Sequence, residues 1–215
     1  MEQTFDLNLI GLEGEGERHE RADAAANRRL ILETAARLFE AHGVPDVTMA
    51  DIASAAGVGK GTLYRRFDNK AELALALMDR QMIDFQNEVL AQLRLFSQQD
   101  IPYLAQLDDF LDALVIFTDS HLPLLCVVQS TGLLPADSVK SRPYHWQHQT
   151  ISGLLQRAIA TGELSDAVDV SYTADALLAP LRADIFRFQR EARGFSLARI
   201  SDGLRMIPVA LEQLK

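Results

Sequence analysis

Thr48-Met49-Ala50-Asp51-Ile52-Ala53-Ser54-Ala55-Ala56-Gly57-Val58-Gly59-Lys60-Gly61-Thr62-Leu63-Tyr64-Arg65-Arg66-Phe67-Asp68-Asn69-Lys70-Ala71-Glu72-Leu73 decides how the chain folds. Thr48 suits a helix N-cap, with Asp51 placing an acid in the first turn. Ile52, Ala53 and Ala56 make the inner face of a short helix, and Ala53 is small where a second helix crosses it. Gly57 admits the positive φ of a sharp turn. Leu63 and Phe67 anchor the next short helix. Gly59 and Gly61 weaken that helix by about 1 kcal/mol each relative to alanine, which suits a backbone that must approach something closely. Two short helices about a tight turn, the second bearing basic and aromatic side chains, form the pattern that presses a recognition helix into a DNA groove.

Working outward, Ile31, Ala35, Leu38 and Phe39 recur on one helical face upstream, over about 27–42. Gly43 stops that helix and Pro45 prevents its continuation. Residues 1–27 are acidic and contain glycine, and read as a flexible N-terminal arm, with Ala22–Ala26 extending the first helix. Downstream, Asn69 caps a long fourth helix to about Phe96, with Glu72 at capping-box spacing. Pro102, Pro123 and Pro143 each precede an apolar-periodic run, where proline begins helices well. The runs are about 102–120, 122–133, 143–161, 168–193 and 196–213, with kinks expected at Pro180 and Pro208. The prediction is an all-α chain of about nine helices in two parts: 28–74, and a larger helical domain over 75–215.

At 48% hydrophobic and 24% charged residues, the composition is that of a globular protein and excludes global disorder. No apolar run approaches the roughly 20 residues of a membrane span. The one cysteine, Cys126, cannot pair within the chain, and there is no secretory leader pattern, so a reducing cytoplasm is expected. The net charge of −9 speaks against nucleic acid only when taken whole. Residues 1–27 carry two bases against seven acids, 28–80 eight against seven, and 81–215 eleven against sixteen. Ile52 to Phe67 contains no acid, while Lys60, Arg65 and Arg66 cluster there. Local charge governs phosphate binding, and here it is positive. Lys60 and Arg65 can donate to guanine O6 and N7; Thr62 and Tyr64 can reach phosphate or a thymine methyl. Lys70 would clamp a phosphate, and Thr48 offers a hydroxyl and helix-start N–H groups to another.

Residues 28–74 resemble the DNA-binding domain of the TetR family of transcriptional regulators. The resemblance rests on Ala35-Ala36-x-Leu38-Phe39, Gly43, Val47-Thr48-Met49, Asp51-Ile52-Ala53, Ala56-Gly57-Val58, Gly61-Thr62-Leu63-Tyr64, Phe67 and Lys70-x-Glu72-Leu73. It implies a homodimeric, helical regulator, most often a repressor, that binds a palindromic operator through double-stranded DNA contacts and is released by a small-molecule effector. By position, Thr48, Tyr64 and Lys70 match phosphate contacts, and Lys60, Gly61 and Arg65 match groove-facing positions. Gly59 and Arg66 depart from the serine and histidine frequent there, which bears on the bases preferred.

In the larger domain, Phe85, Phe110, Phe117, Trp146 and Tyr172 are candidates to line an effector cavity, although aromatics at helical spacing also serve as plain core. His121, Gln129 and His145 are candidate polar contacts. His145 and His148 share a face near His121 and Cys126, but the spacing matches no zinc pattern and no metal or cofactor is expected. Leu177, Leu178, Leu181, Ile185, Leu204, Ile207 and Leu211 are candidates for a four-helix dimer interface. No Gly-x-Ser-x-Gly, phosphate loop or supported Cys/His arrangement is present, so an enzyme is not expected. The rival class is a helical small-molecule-binding or scaffold protein without DNA binding.

Overall fold

The computed structural model describes residues 15–130 and 142–212. All regular structure among the described residues is helical, and the chain divides into two units between Asp68 and Asn69. The expected boundary after residue 74 moves upstream because Asn69 starts the fourth helix, which belongs whole to the second unit. There the Asn69 Oδ1 accepts from the Ala71 and Glu72 N–H groups, both at 3.0 Å.

The first unit holds α1 (Glu15–His42), α2 (Met49–Ala55) and α3 (Lys60–Tyr64). Helix α1 starts at Glu15, seven residues before the expected extension at Ala22, so the helix takes in residues 15–21 of the expected arm. That stretch is rich in glutamate and arginine, which are strong helix formers, and its acids suit a helix start. The alternating apolar segment from Phe5 to Ile10, which the sequence leaves unassigned, lies outside the described residues. Gly43, at φ +82°, ends α1 with its N–H on the Phe39 carbonyl at 2.9 Å. Ile31, Leu32, Ala35, Phe39, Ile52, Ala53, Leu63 and Phe67 are all buried, and α2 packs on both α1 and α3. At about 25 cal/mol per Å² of apolar surface, such a set supplies the driving force that helices of five and seven residues lack on their own.

The second unit comprises α4 (Lys70–Gln98), α5 (Tyr103–Ser130), α6 (Arg142–Ala160), α7 (Val170–Leu178), α8 (Ala183–Arg187) and α9 (Leu197–Glu212). Helix α5 lies at its centre, packed on α4, α6, α8 and α9. Two runs expected on either side of Pro123 are here one helix. The proline removes one hydrogen bond, but Leu122, Leu124 and Val128 are buried around it and hold the axis. Residues 103–128 of α5 are also long and apolar enough to cross a membrane by composition alone, contrary to the expectation of no such run. Leu107, Phe110, Leu111, Leu114 and Val115 instead bury its apolar side in the helical core.

The run over 168–193 breaks rather than kinks. Pro180 sits in a 3-10 turn, Arg182 is extended at ψ 137°, and α8 starts anew at Ala183. A π-helical turn over Phe188–Ala192 follows. The total stays at nine α-helices among the described residues because one expected break is absent and another is gained. Helix α9 continues through Pro208.

One contact across the second unit joins residues far apart in sequence. At the end of α6, Gly162 (φ +78°) turns the chain so that the Glu163 N–H meets the Ala158 carbonyl at 2.8 Å. The Glu163 carboxylate then accepts from the Tyr103 and Leu104 N–H groups at 3.0 and 2.9 Å, capping the start of α5.

Candidate nucleic-acid interface

The turn between α2 and α3 is closed by two backbone bonds. Val58 N–H donates to the Ala53 carbonyl at 3.0 Å and Gly57 N–H to that of Ser54 at 3.2 Å, with Gly57 at φ +65°. This pairing is the Schellman arrangement, in which a left-handed residue satisfies the last helical carbonyls. It redirects the chain within three residues, and α3 follows with Gly59 as its N-cap. Gly59 has no side chain to cap the helix, so the start of α3 is held by Leu63, fully buried, and by Phe67. The Arg28 guanidinium covers the Phe67 ring at 5.4 Å.

With Leu63 inward, Lys60, Gly61, Tyr64 and Arg65 face solvent. Tyr64 is 48% exposed, which removes the packing role that would otherwise account for it. Arg65 donates to the Thr62 hydroxyl at 3.3 Å, so these two share one face. Arg66 is half-buried, and its Nε is buried without a hydrogen-bond partner. Lys70 opens α4 in the second unit and is half-buried.

Thr48 differs from its reading as a free phosphate donor. Its N–H and its hydroxyl both donate to Asp51 Oδ2, at 2.8 and 2.6 Å, and its Oγ1 accepts from the Asp51 N–H at 3.2 Å. This is a full capping box with aspartate in the third helical position, where glutamate or glutamine is usual. The Thr48 hydroxyl bond, followed by the backbone one, holds the Asp51 carboxyl below the usual carboxylate range. A phosphate approaching Thr48 must displace that carboxylate or use the neighbouring N–H groups.

In the second unit the structure brings together five of the eight effector candidates. Phe85 meets Phe117 at 4.5 Å between ring centroids and Trp146 at 6.0 Å; Phe110 meets Trp146 at 5.6 Å; and His121 stacks on Phe117 at 4.0 Å. His121 Nδ1 also lies 2.7 Å from the Phe117 carbonyl. Tyr172 is 73% exposed and His145 is exposed, so neither joins the cluster. The Gln129 side chain lies outside the described residues. Elsewhere, α6 and α7 unite three groups that spacing had not linked: the Tyr144 hydroxyl donates to Asp175, and His148 Nε2 lies 3.4 Å from the same carboxylate. Burial first, then the Asp175 bond, pushes the Tyr144 hydroxyl up to about 12.

The dimer candidates divide in the same way. Leu177, Leu178 and Leu204 are buried in the chain's own core, so no partner can reach them. Leu181 and Ile207 are half-buried against that core, Ile185 is 39% exposed, and the Leu211 side chain lies outside the described residues. Phe188 and Met206, at 51% and 70% exposed, were not picked from the sequence. Periodicity shows which residues share a face but not which face meets the core.

Residues 31–77 match the profile of bacterial regulatory proteins of the tetR family. The HTH-type transcriptional repressor ComR of Escherichia coli is 32% identical over 158 residues, covering 70% of this chain and 74% of ComR. A transcriptional regulator from Saccharomonospora viridis in complex with choline shares the fold at TM-score 0.66 and 21% identity, over 85% of this chain and 95% of that one. Thermus thermophilus FadR, a repressor in complex with lauroyl-CoA, does so at TM-score 0.61 and 20% identity, over 85% of this chain and 93% of its own.

Proposed function

The chain belongs to the TetR family of transcriptional regulators, and from that premise we propose that it represses transcription by binding a palindromic operator as a homodimer, from which a small-molecule effector releases it. The exposed face of α3 carries this reading: Lys60, Tyr64 and Arg65 project from an acid-free stretch of an acidic chain. Phosphate contacts by Lys70 and by the start of α2 would set the register, and Lys60 and Arg65 would read base edges, with Thr62 and Gly61 allowing close approach. Arg66, half-buried, supports α3 and neutralises nearby phosphate. The repressor role draws support from ComR and FadR, and effector release from the choline and lauroyl-CoA complexes.

Two recognition helices must lie about 34–36 Å apart to enter successive major grooves. Ile185, Phe188 and Met206 offer the exposed apolar surface for the homodimer that spaces them. An effector that prefers a conformation with mis-spaced helices lowers operator affinity by its differential binding to the two states. The protein would work in the cytoplasm, beside the chromosome.

The test is a titration of labelled DNA from upstream of the protein's own gene at several salt concentrations. Binding should be salt-sensitive and exceed that to random DNA, and Arg65→Ala should relax discrimination at one base pair by about 1–3 kcal/mol. Equal affinity for both DNAs would leave a helical binding protein with no operator.

A further inference from the structure

Phe85 and Val89 from α4 and Phe110 from α5 floor a cavity of about 190 Å³ in the second unit. Both rings are buried and both meet Trp146 edge-on. Glu88, Gln92, Leu93, Asp109 and Ala113 complete the lining, which holds no lysine or arginine. Neither Glu88 nor Asp109 has an ion-pair partner among the described residues, whereas Asp112 and Asp119 on the same helix are paired with Arg205 and Arg190. Glu88 and Asp109 are both solvent-exposed, and partial burial, then the neighbouring Asp112 charge, holds the Asp109 carboxyl above the usual range. An apolar lining that carries two acids and no base is an environment that favours an alkylammonium group. The volume excludes larger ligands, for which about 300–1,000 Å³ is usual. A wider cleft of about 530 Å³ beside Asp119 and Arg190 is open, and its arginine is already held by Asp119 and the Phe195 carbonyl.

We propose that this cavity binds a small alkylammonium cation, with the apolar lining of Phe85, Leu93 and Ala113 receiving its methyl groups and Glu88 and Asp109 its charge. The proposal rests on the reading that the helical unit takes an effector, and it names the effector's chemical class.

Trp146, the chain's single tryptophan, reports on both rings. Its fluorescence is followed during titration with tetramethylammonium at constant ionic strength, with pivalate and tert-butanol as anionic and neutral isosteres. Tetramethylammonium should give a saturable change and the other two none. Asp109→Asn and Glu88→Gln should each weaken binding about three- to tenfold, while Gln92→Lys should abolish it, with helicity by circular dichroism unchanged in all three. An equal response to pivalate or tert-butanol, or unaltered affinity in the folded variants, overturns the proposal. Cation binding that leaves operator affinity unaltered supports the site and removes only the effector reading. Release of operator by anionic or neutral compounds, with no cation bound, keeps that reading and overturns the site.

Discussion

Replacing Gly61 by alanine should raise stability and lower DNA affinity together. A Cβ built at Gly61 meets nothing within 4 Å, and the residue is helical and exposed. Alanine therefore brings no clash or strain within the chain, and glycine to alanine in a helix gains up to about 1 kcal/mol. Helix α3 has only five residues and Gly61 is in its first turn, so about half of that, roughly 0.5 kcal/mol, is expected. For a chain of this size that is a rise in Tm of about 1–2 °C. On DNA the same methyl stands where backbone should approach phosphate or base, and a loss of at least tenfold, about 1.4 kcal/mol, should follow. Calorimetry gives the first quantity and fluorescence anisotropy on operator DNA at fixed salt the second. Gly57→Ala is the contrast: at φ +65° it should lose about 1–2 kcal/mol of stability, so any weaker binding there follows from misfolding. If Gly61→Ala is more stable and binds operator as tightly as before, close approach does not explain the glycine.

Other perturbations test the tertiary contacts. Glu163→Ala should cost about 2 kcal/mol in urea denaturation followed by Trp146 fluorescence, because two N–H groups at the start of α5 lose a charged acceptor; Glu163→Gln should cost about half of that, and an effect below about 0.5 kcal/mol would mean that water replaces the cap. Tyr144 favours its protonated form in the folded state, so its contribution is full below the ordinary tyrosine value near 10 and is lost as pH rises toward about 12. Tyr144→Phe should therefore lower Tm near neutrality yet flatten its decline above pH 10, and parallel declines in both proteins would remove this group from the pH dependence. Met206→Asp and Ile185→Asp should yield folded monomer in ultracentrifugation, whereas Leu204→Asp, at a site 3% exposed, should unfold the chain; a persisting dimer in the first two places the interface elsewhere.

The first unit was almost fully legible because its determinants are local. Thr48, Gly57 and Asn69 act on backbone within three or four residues of themselves, and Leu63 and Phe67 sit at a spacing that admits one packing. Less legible are the start of α1, where glycines interrupt strong helix formers, and the reciprocal bond from Asp51, which uses the Thr48 groups offered to phosphate.

The second unit was legible as helices but not as an assembly. That α5 continues through Pro123 while the chain breaks after Pro180 does not follow from the proline, since both lose the same hydrogen bond. Around Pro123 the helix runs on unbroken, whereas past Pro180 the extended Arg182 at ψ 137° interrupts it. The same limit applies to Leu177, Leu178 and Leu204, which carry the pattern of an interface and lie in the core, and to Glu163, whose partners lie some sixty residues away. By itself the sequence determined the helical class, the turn at Gly57 and the basic face of α3, because capping, periodicity and local charge act over a few residues. Tertiary structure alone decided which apolar faces meet, which carboxylates have no ion-pair partner among the described residues, and which residues remain exposed for a partner, because each depends on groups brought together from distant parts of the chain.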